Sequence, residues 1–255
     1  MLALRVQLSD AVVVVTGGTG GLGSRICHAF AAEHARVVVV NLERASVARD
    51  LADELIGAGA RASLAIQADV TRADAIAPMV QQVVAQFGRL DVLVNNAAFN
   101  QSVPYADLDG LTPELWQTIL HANTSGPFLC ARAVAPVMRQ QGRGRIVNIG
   151  SVSGFQPGGS SIAYAVSKAA LAHLTRCLAV ALAPEVLVNC VAPGLMEGTV
   201  MTTRLLPVQI ERAERESVLK RMVDKDDVAD QVVALAKSDS TTGQNLIIDA
   251  GRFFH

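Results

Sequence analysis

A glycine-rich segment between two valine-rich runs is the feature that most restricts how this chain can fold. The runs at 11–15 and 37–40 are short, β-branched and uninterrupted by polar residues, which is typical of parallel strands covered on both faces. Between them, residues 21–34 place Ile26 and Phe30 at helical spacing. The order of strand, glycine turn, helix and strand predicts a βαβ unit.

The alternation of helical and extended patterns continues toward the C-terminus. Further helices are predicted over residues 45–56, 73–87 and 162–182, around 226–237 and within 113–139, and further strands over 62–68, 90–94, 145–149, 186–191 and 245–248. Such alternation produces a doubly wound parallel sheet with right-handed crossovers. We therefore expect an α/β, Rossmann-like single domain over residues 1–255, with a flap at about 195–223 on the substrate side.

Charge and cysteine content exclude several classes of protein. The 22 basic and 23 acidic residues form no block of like charge, so we expect neither nucleic acid nor a membrane surface as a partner. The four cysteines form no CxxC pair and the five histidines lack ligand spacing, so we expect no metal. With no signal peptide and no uninterrupted apolar segment of membrane-spanning length, we predict a cytoplasmic protein that acts on a small molecule.

The segment TGGTGGLG at residues 16–23 predicts a dinucleotide site. Glycines allow a tight turn and let backbone amides approach a pyrophosphate, and the following helix N-terminus adds partial positive charge. The segment fits the GxGxxG pattern through Gly18, Gly20 and Gly23, and the TGxxxGxG pattern through Gly17, Gly21 and Gly23. Taken alone, it leaves both registers open, and a plain flexible turn is the alternative.

The second spacing, taken with the motifs that follow it, resembles the short-chain dehydrogenases and reductases. Those motifs are Asp69-Val70, Asn95-Asn96-Ala97-Ala98, Asn123, Ser151, Tyr164-Ala-Val-Ser-Lys168 and Pro193-Gly194. An ordered set spanning nearly the whole chain is more specific than any single motif. The resemblance implies an NAD(P)-dependent oxidoreductase that transfers a hydride between nicotinamide and a secondary alcohol or ketone.

A catalytic set follows from the same resemblance. Tyr164 and Lys168 are four residues apart and share a helix face, although YxxxK alone also fits an ordinary amphipathic helix. The resemblance implies that Tyr164 is the acid/base, its pKa lowered by the charges of Lys168 and the nicotinamide. Ser151 would donate to the substrate oxygen, with Ser153 as a weaker rival. Asn123 would hold a water near the lysine, and an ordinary helix-surface asparagine is the alternative.

The resemblance also implies a larger set of cofactor contacts. Asp69 would accept a hydrogen bond from the adenine amino group, with helix entry as its alternative role, and Asn95 would mainly stabilise the sheet. Ala98 stands where relatives often have glycine, and Gly198 stands where they commonly have a threonine that contacts the carboxamide. The full expected set is Gly17, Gly21, Leu22, Gly23, Asn41, Leu42, Asp69, Val70, Asn95, Ala97, Tyr164, Lys168, Pro193, Gly194, Met196 and Thr199.

The end of the second strand leaves the choice between NAD and NADP open. A carboxylate there binds the ribose diol of NAD, whereas a nearby arginine accommodates the phosphate of NADP. Asn41 occupies the usual selector position and is neutral, while Glu43 could serve as the acid and Arg44 could hold the phosphate. We expect NAD, with NADP possible.

The remaining predictions concern the substrate pocket, the alternative functions and the assembly. The expected pocket wall is mainly apolar and comprises Phe99, Val152, Phe155, Leu195, Met196 and Met201, with Arg204 as an anion contact. Two alternatives to an alcohol dehydrogenase are an NADPH-dependent 3-oxoacyl thioester reductase and a non-catalytic dinucleotide-binding sensor or scaffold. The resemblance implies a homotetramer, and we expect the helix at 162–182 and the aromatic tail at 252–255 to lie at its interfaces.

Overall fold

One parallel sheet of seven strands forms the centre of the computed structural model, which describes residues 7–199, 202 and 207–254. The strands are β1 (Val12–Thr16), β2 (Arg36–Asn41), β3 (Ala62–Gln67), β4 (Val92–Asn95), β5 (Gly144–Ile149), β6 (Val186–Pro193) and β7 (Asn245–Ile248). Their order is β3-β2-β1-β4-β5-β6-β7. The order reverses between β1 and β4, and ligands of such sheets bind beyond the carboxyl ends of the strands at this point.

Helices cover both faces of this sheet. They are α1 (Gly21–Ala32), α2 (Ala45–Gly57), α3 (Ala73–Phe87), α4 (Pro113–Leu120), α5 (Gly126–Gln140), α6 (Ile162–Leu182), α7 (Pro207–Glu216) and α8 (Lys225–Lys237). Val13 and Val15 of β1 pack with α1, α2 and α8, whereas Val12 and Val14 pack with α3, α5 and α6. Because alternate side chains of a strand face opposite sides, the uninterrupted valine run fits a strand buried on both faces. The predicted α/β doubly wound fold is confirmed.

The region predicted to hold one helix within 113–139 differs from that expectation. Thr112 caps α4 by accepting from the amide of Leu115 at 3.3 Å, with Pro113 at the first helical position. A π-helical turn (His121–Ser125) then separates α4 from α5. A π-turn inserts one extra residue per turn, so it shifts which side chains face the sheet.

The long helix α6 is one that, among the described residues, is long and apolar enough to cross a membrane by length and composition, although Lys168 and Arg176 interrupt its apolar sequence. In the fold, Leu178 and Leu182 of this helix pack into the same core cluster as Val186 and Val188 of β6. The helix also carries buried polar side chains, including that of Lys168.

Candidate active site

Two glycines of the turn after β1 have no room for a side chain. Gly17 has a φ of +63°, and a Cβ built on it would lie 2.9 Å from the Cα of Ala97. A Cβ on Gly23 would lie 2.2 Å from the carbonyl oxygen of Gly17. Gly23 belongs to both registers, so the comparison rests on Gly17 and Gly18, and of these two only Gly17 has a positive φ. The geometry favours the TGxxxGxG register.

Thr16 and Asn96 hold this turn against the end of β4. The hydroxyl of Thr16 accepts from the amides of Asn96 at 3.0 Å and Ala97 at 3.1 Å, and it donates to the carbonyl of Val94 at 3.2 Å. The Asn96 side chain donates to the carbonyls of Thr16 and Gly17, both at 3.0 Å. Thr16 was not among the predicted contacts. Its position directly before the first glycine of the motif was the available signal.

The start of α1 fits the pyrophosphate of a dinucleotide. Its N-cap residue, Gly20, makes no side-chain capping bond, and the first turn has no acidic residue. The amides at this helix end and the positive end of its dipole therefore suit an anion. Leu22 offers only its backbone, because its side chain is buried in the core. Gly21 faces Gly198, whose carbonyl oxygen would lie 3.3 Å from a Cβ on Gly21, so the predicted flap abuts the turn.

The end of β2 presents a buried amide. Asn41 is 3% exposed, and its Nδ2 donates to the carbonyl of Ile66 at 3.1 Å. Its Oδ1 is buried without a partner among the described residues. A buried acceptor without a donor costs free energy, so this atom fits a hydroxyl or amino group of a bound cofactor. Leu42, Glu43 and Arg44 are exposed beside it.

Asp69 closes a turn between β3 and α3. Its Oδ1 accepts from the amide of Thr71 at 2.9 Å and from the Thr71 hydroxyl at 2.6 Å. Helix α3 follows with Arg72 at its N-cap, where no side-chain capping bond is made. Asp69 therefore does shape the entry to this helix, which was its alternative role. Its Oδ2 makes no bond to the part of the chain that the structure describes, so that oxygen is available to a ligand.

Three of the four predicted catalytic side chains come together at the carboxyl end of β5. The hydroxyl of Ser151 lies beside that of Tyr164, close enough to oppose the rise in the pKa of Tyr164. The ammonium of Lys168 donates to the carbonyl of Ile149 at 2.8 Å and lies 5.7 Å from the centre of the Tyr164 ring. Ser161 caps α6 through the amide of Tyr164 at 3.2 Å, which fixes where this helix begins. Tyr164 and Lys168 are both buried.

Burial shifts the pKa values of Tyr164 and Lys168, and the shift at Tyr164 is opposite to the predicted one. Burial raises the pKa of Tyr164, and the hydrogen bond with Ser151 opposes that rise. Burial also lowers the pKa of Lys168 to about 8, opposed by the nearby Cys190. The expected lowering of the Tyr164 pKa is therefore not found in the protein alone, because desolvation of the phenolate is the largest effect.

Ser153 lies beside Ser151 without taking its place. Its side chain is buried, and its amide donates to the hydroxyl of Ser151 at 3.2 Å. The hydroxyl of Ser153 instead packs against Gly159, where an added Cβ would lie 2.6 Å from it. Ser151 is thus the serine that faces Tyr164.

Asn123, the fourth predicted catalytic residue, lies in the π-helical turn and is fully buried. Its Oδ1 accepts from the amide of Phe99 at 2.8 Å, and its Nδ2 donates to the carbonyl of Phe99 at 2.9 Å. The same Nδ2 donates to the hydroxyl of Ser167 at 3.0 Å. Asn123 is therefore no helix-surface residue. Ser167, which the sequence analysis missed, joins it to the helix that carries Tyr164 and Lys168.

Residues 11–209 match the family model described as short chain dehydrogenase. The chain belongs to this family. It is therefore an oxidoreductase that acts on CH–OH or carbonyl groups with a nicotinamide cofactor. The confirmed family agrees with the ordered set of motifs in the sequence.

Individual relatives of this short-chain dehydrogenase match over nearly the whole chain. A Streptomyces violaceoruber protein, assigned as ketoacyl reductase 2 of the granaticin polyketide synthase, is 39% identical, covering 94% of this chain and 95% of the relative. A 3-oxoacyl-[acyl-carrier-protein] reductase of Synechocystis is 34% identical, covering 96% and 97%. A crystal structure assigned as a short-chain alcohol dehydrogenase of Sinorhizobium meliloti 1021 has a TM-score of 0.88 and 28% identity, covering 96% of each chain.

Asn95 lies inside the sheet of this short-chain dehydrogenase. It is 3% exposed, and its Nδ2 donates to Asn148 Oδ1 at 2.9 Å and to the carbonyl of Pro127 at 3.4 Å. Asn148 in turn donates to the hydroxyl of Thr175 on α6 at 2.9 Å. These contacts join two strands and α6, in agreement with the structural role that we expected. Ala98 does not have a positive φ, so alanine in place of the family's glycine causes no backbone strain at this position.

The structure describes part of the predicted pocket wall that follows β6. The amide of Gly194, next to Pro193, donates to the carbonyl of Ile248 at 2.7 Å, and Met196 forms an isolated parallel bridge with Val223. Thr199 bonds with Thr202, its amide donating to the Thr202 hydroxyl at 2.9 Å. Leu195 and Met196 are partly exposed, as are Val152 and Phe155, and Phe99 is exposed. The predicted contacts Met201 and Arg204 lie outside the described residues.

No metal site accompanies this arrangement in the described ranges 7–199, 202 and 207–254. There, no group of three or more histidine, cysteine, aspartate or glutamate side chains is placed to hold a metal ion. The four cysteines are free.

Proposed function

We propose that this short-chain dehydrogenase interconverts a secondary alcohol and a ketone, with Tyr164 as the group that transfers the proton. The observation that carries the proposal is the contact between the hydroxyls of Ser151 and Tyr164 at the carboxyl end of β5, with Lys168 on the same face of α6. Two hydroxyls that meet at the carboxyl edge of the sheet suit a substrate oxygen that lies between them.

Burial favours the protonated form of Tyr164, which is the form that donates a proton in carbonyl reduction. A protonated Tyr164 donates its proton to the carbonyl oxygen, and Ser151 donates a hydrogen bond to the same oxygen as negative charge grows there. When bound, a nicotinamide cofactor would supply the hydride that this reduction requires. In oxidation, Tyr164 accepts the proton, and the positive charges near it then need to offset the burial of the phenolate.

Lys168 is suited to support that charge. Its ammonium lies close to the phenol ring while donating to the carbonyl of Ile149. A cation near the ring stabilises the phenolate relative to the phenol. A water held near the lysine by Asn123 stays a prediction, since the side chain of Asn123 bonds to Phe99 and Ser167.

For the cofactor, we propose NAD, held by the turn around Gly17, Gly21 and Gly23 and by the end of β2. Asn41 offers a neutral buried acceptor, which suits a ribose hydroxyl better than a phosphate dianion. Exposed Arg44 is the feature that favours NADP instead. Titration of the purified protein with NADH and NADPH tests this, and a tenfold tighter affinity for NADPH overturns it.

A 3-oxoacyl thioester reductase is the second candidate. It is favoured by two relatives whose names give ketoacyl or 3-oxoacyl reduction. A matrix of both cofactors against alcohols, sugars, steroids and oxoacyl thioesters distinguishes the candidates. Activity with thioesters alone selects the reductase, whereas tight cofactor binding without any change in nicotinamide absorbance selects a non-catalytic sensor or scaffold.

We also propose a cytoplasmic homotetramer without a nucleic-acid partner, in which residues 195–223 act as the substrate-side flap. Helices α5 and α6 expose Phe128, Val166 and Val180, and Phe254 near the C-terminus is 84% exposed. Exposed apolar side chains on two neighbouring helices suit burial against another copy of the chain. Sedimentation that finds only monomer at micromolar concentration contradicts this assembly.

A further inference from the structure

The π-helical turn (His121–Ser125) contacts both the nucleotide side and the catalytic side of the cleft. Such turns close a wider backbone ring than the α-helix does and are frequent at functional sites. Here the amide of Gly126 donates back to the carbonyl of His121. His121, at the start of the turn, contacts the loop after β3, whereas Asn123 and Thr124 contact α6.

On the nucleotide side, His121 reaches the loop that carries Asp69. Its Nε2 lies 3.0 Å from the carbonyl oxygen of Thr71. Because a carbonyl only accepts, Nε2 carries the proton and donates. Thr71 is itself bonded through its amide and hydroxyl to Asp69. The loop 69–71 is therefore held by the hydrogen bonds between Thr71 and Asp69 and by one hydrogen bond to the π-helical turn.

Close packing supports that attachment. An added Cβ on Gly126 would lie 3.3 Å from the carbonyl oxygen of Val70 and 3.4 Å from its Cγ2. The missing side chain at Gly126 therefore leaves the space that Val70 needs. The loop 69–71 therefore packs against the first residue of α5, directly after the π-helical turn, and is joined to the turn itself by the His121 bond.

On the catalytic side, the same turn holds α6. Asn123 Nδ2 donates to the hydroxyl of Ser167, which donates to the carbonyl of Tyr164 at 2.7 Å. The hydroxyl of Thr124 donates to the carbonyl of Ser167 at 3.1 Å. These bonds do not involve the His121 side chain, so the two functions of the turn can be separated by substitution.

We propose that His121 is a positioning residue for the adenosine half of the dinucleotide, acting through the carbonyl of Thr71 on the loop that carries Asp69. The proposal rests on the proposed function, because it requires that this loop binds the cofactor. His121 is exposed and has no place among the groups that touch the reacting atoms. Its effect should therefore fall on the affinity for the cofactor and not on the rate of the chemical step.

The test compares His121→Ala with His121→Gln, whose side-chain amide can donate from nearly the same place as Nε2. The probe is ADP-ribose, titrated by calorimetry, followed by steady-state kinetics with the full cofactor. His121→Ala should bind ADP-ribose about 3- to 10-fold more weakly, the loss of one hydrogen bond. We expect kcat and the KM of the second substrate to stay within about twofold. His121→Gln should restore the affinity.

His34→Ala is the matched control. The exposed His34 also bonds a backbone carbonyl through its ring, that of Gly59 at 3.0 Å, but it lies just before β2 at the opposite end of the sheet. Whatever its effect on thermal stability, His34→Ala should bind ADP-ribose as tightly as the wild type does. The proposal is overturned if His121→Ala binds ADP-ribose as tightly as the wild type does. It is also overturned if His34→Ala weakens ADP-ribose binding as much as His121→Ala does. A wild type that binds no ADP-ribose overturns the proposed function itself.

Discussion

The side-chain amide of Asn123 donates to the hydroxyl of Ser167 at 3.0 Å, across 44 residues of sequence. Ser167 immediately precedes Lys168 and bonds back to the carbonyl of Tyr164. The π-helical turn therefore positions the two side chains that we propose for proton transfer, while its other bonds hold the backbone of Phe99. Asn123 thus connects the loop after β4 with helix α6.

Removal of the Asn123 side chain should destabilise the protein more than removal of the Ser167 hydroxyl. Asn123→Ala leaves the amide and carbonyl of Phe99 without their partner, whereas Ser167→Ala leaves those bonds in place. We expect Asn123→Ala to lower the free energy of unfolding by about 2–4 kcal/mol and Ser167→Ala by about 1 kcal/mol. Urea denaturation measures both. Equal losses in the two variants contradict this account.

Gly23→Ala should disrupt the phosphate-binding turn, because the new Cβ would lie 2.2 Å from the carbonyl oxygen of Gly17. We expect a loss of about 1–3 kcal/mol of stability, and at least about tenfold weaker dinucleotide binding because the turn has to move. Thermal unfolding and NADH titration measure the two effects. Gly57→Ala is the control, since a Cβ there meets nothing within 4 Å. Unchanged NADH affinity in Gly23→Ala contradicts the assignment of this turn.

The stability of the wild type should rise with pH relative to Lys168→Met between about pH 8 and 9.5. Burial lowers the pKa of Lys168 from 10.5 to about 8. In this window the unfolded chain holds a proton on the lysine that the folded chain has released, and stability rises with pH wherever the unfolded state binds more protons. The expected gain is on the order of 1–2 kcal/mol. Denaturation at several pH values checks it, and a constant difference between the two proteins contradicts it.

The fold could be predicted from local patterns, whereas several site contacts could not. The valine run of β1 and the glycines after it are short-range signals, and the structure places the corresponding strand and helix within a few residues of the predicted bounds. The π-helical turn was missed because hydrophobic periodicity does not distinguish a single turn of different pitch inside a helical stretch.

Partners distant in sequence were also beyond prediction. Thr16 and Asn96 lie 80 residues apart, and neither residue type signals such a pairing. The motif residues Ser151 and Tyr164 were identified through the family resemblance, yet the direction of the Tyr164 pKa depends on burial, which only the folded structure supplies.

Asn41→Asp should strengthen the preference for NAD over NADP. A carboxylate at this position binds the ribose diol and repels the extra phosphate. We expect the ratio of NADPH to NADH dissociation constants to rise at least about tenfold, measured by fluorescence titration of both cofactors. An unchanged ratio means that Asn41 is not the selector, and Arg44→Ala then tests the neighbouring cation.

The most direct test of the proposed chemistry is the turnover of Tyr164→Phe, measured through nicotinamide absorbance with a substrate that the wild type accepts. This variant removes only the phenol oxygen, which lies beside the Ser151 hydroxyl. General acid–base catalysis contributes about 10²- to 10⁴-fold, so kcat should fall by at least about 100-fold while cofactor affinity stays within about threefold. A Tyr164→Phe protein that keeps wild-type turnover contradicts the central role of Tyr164.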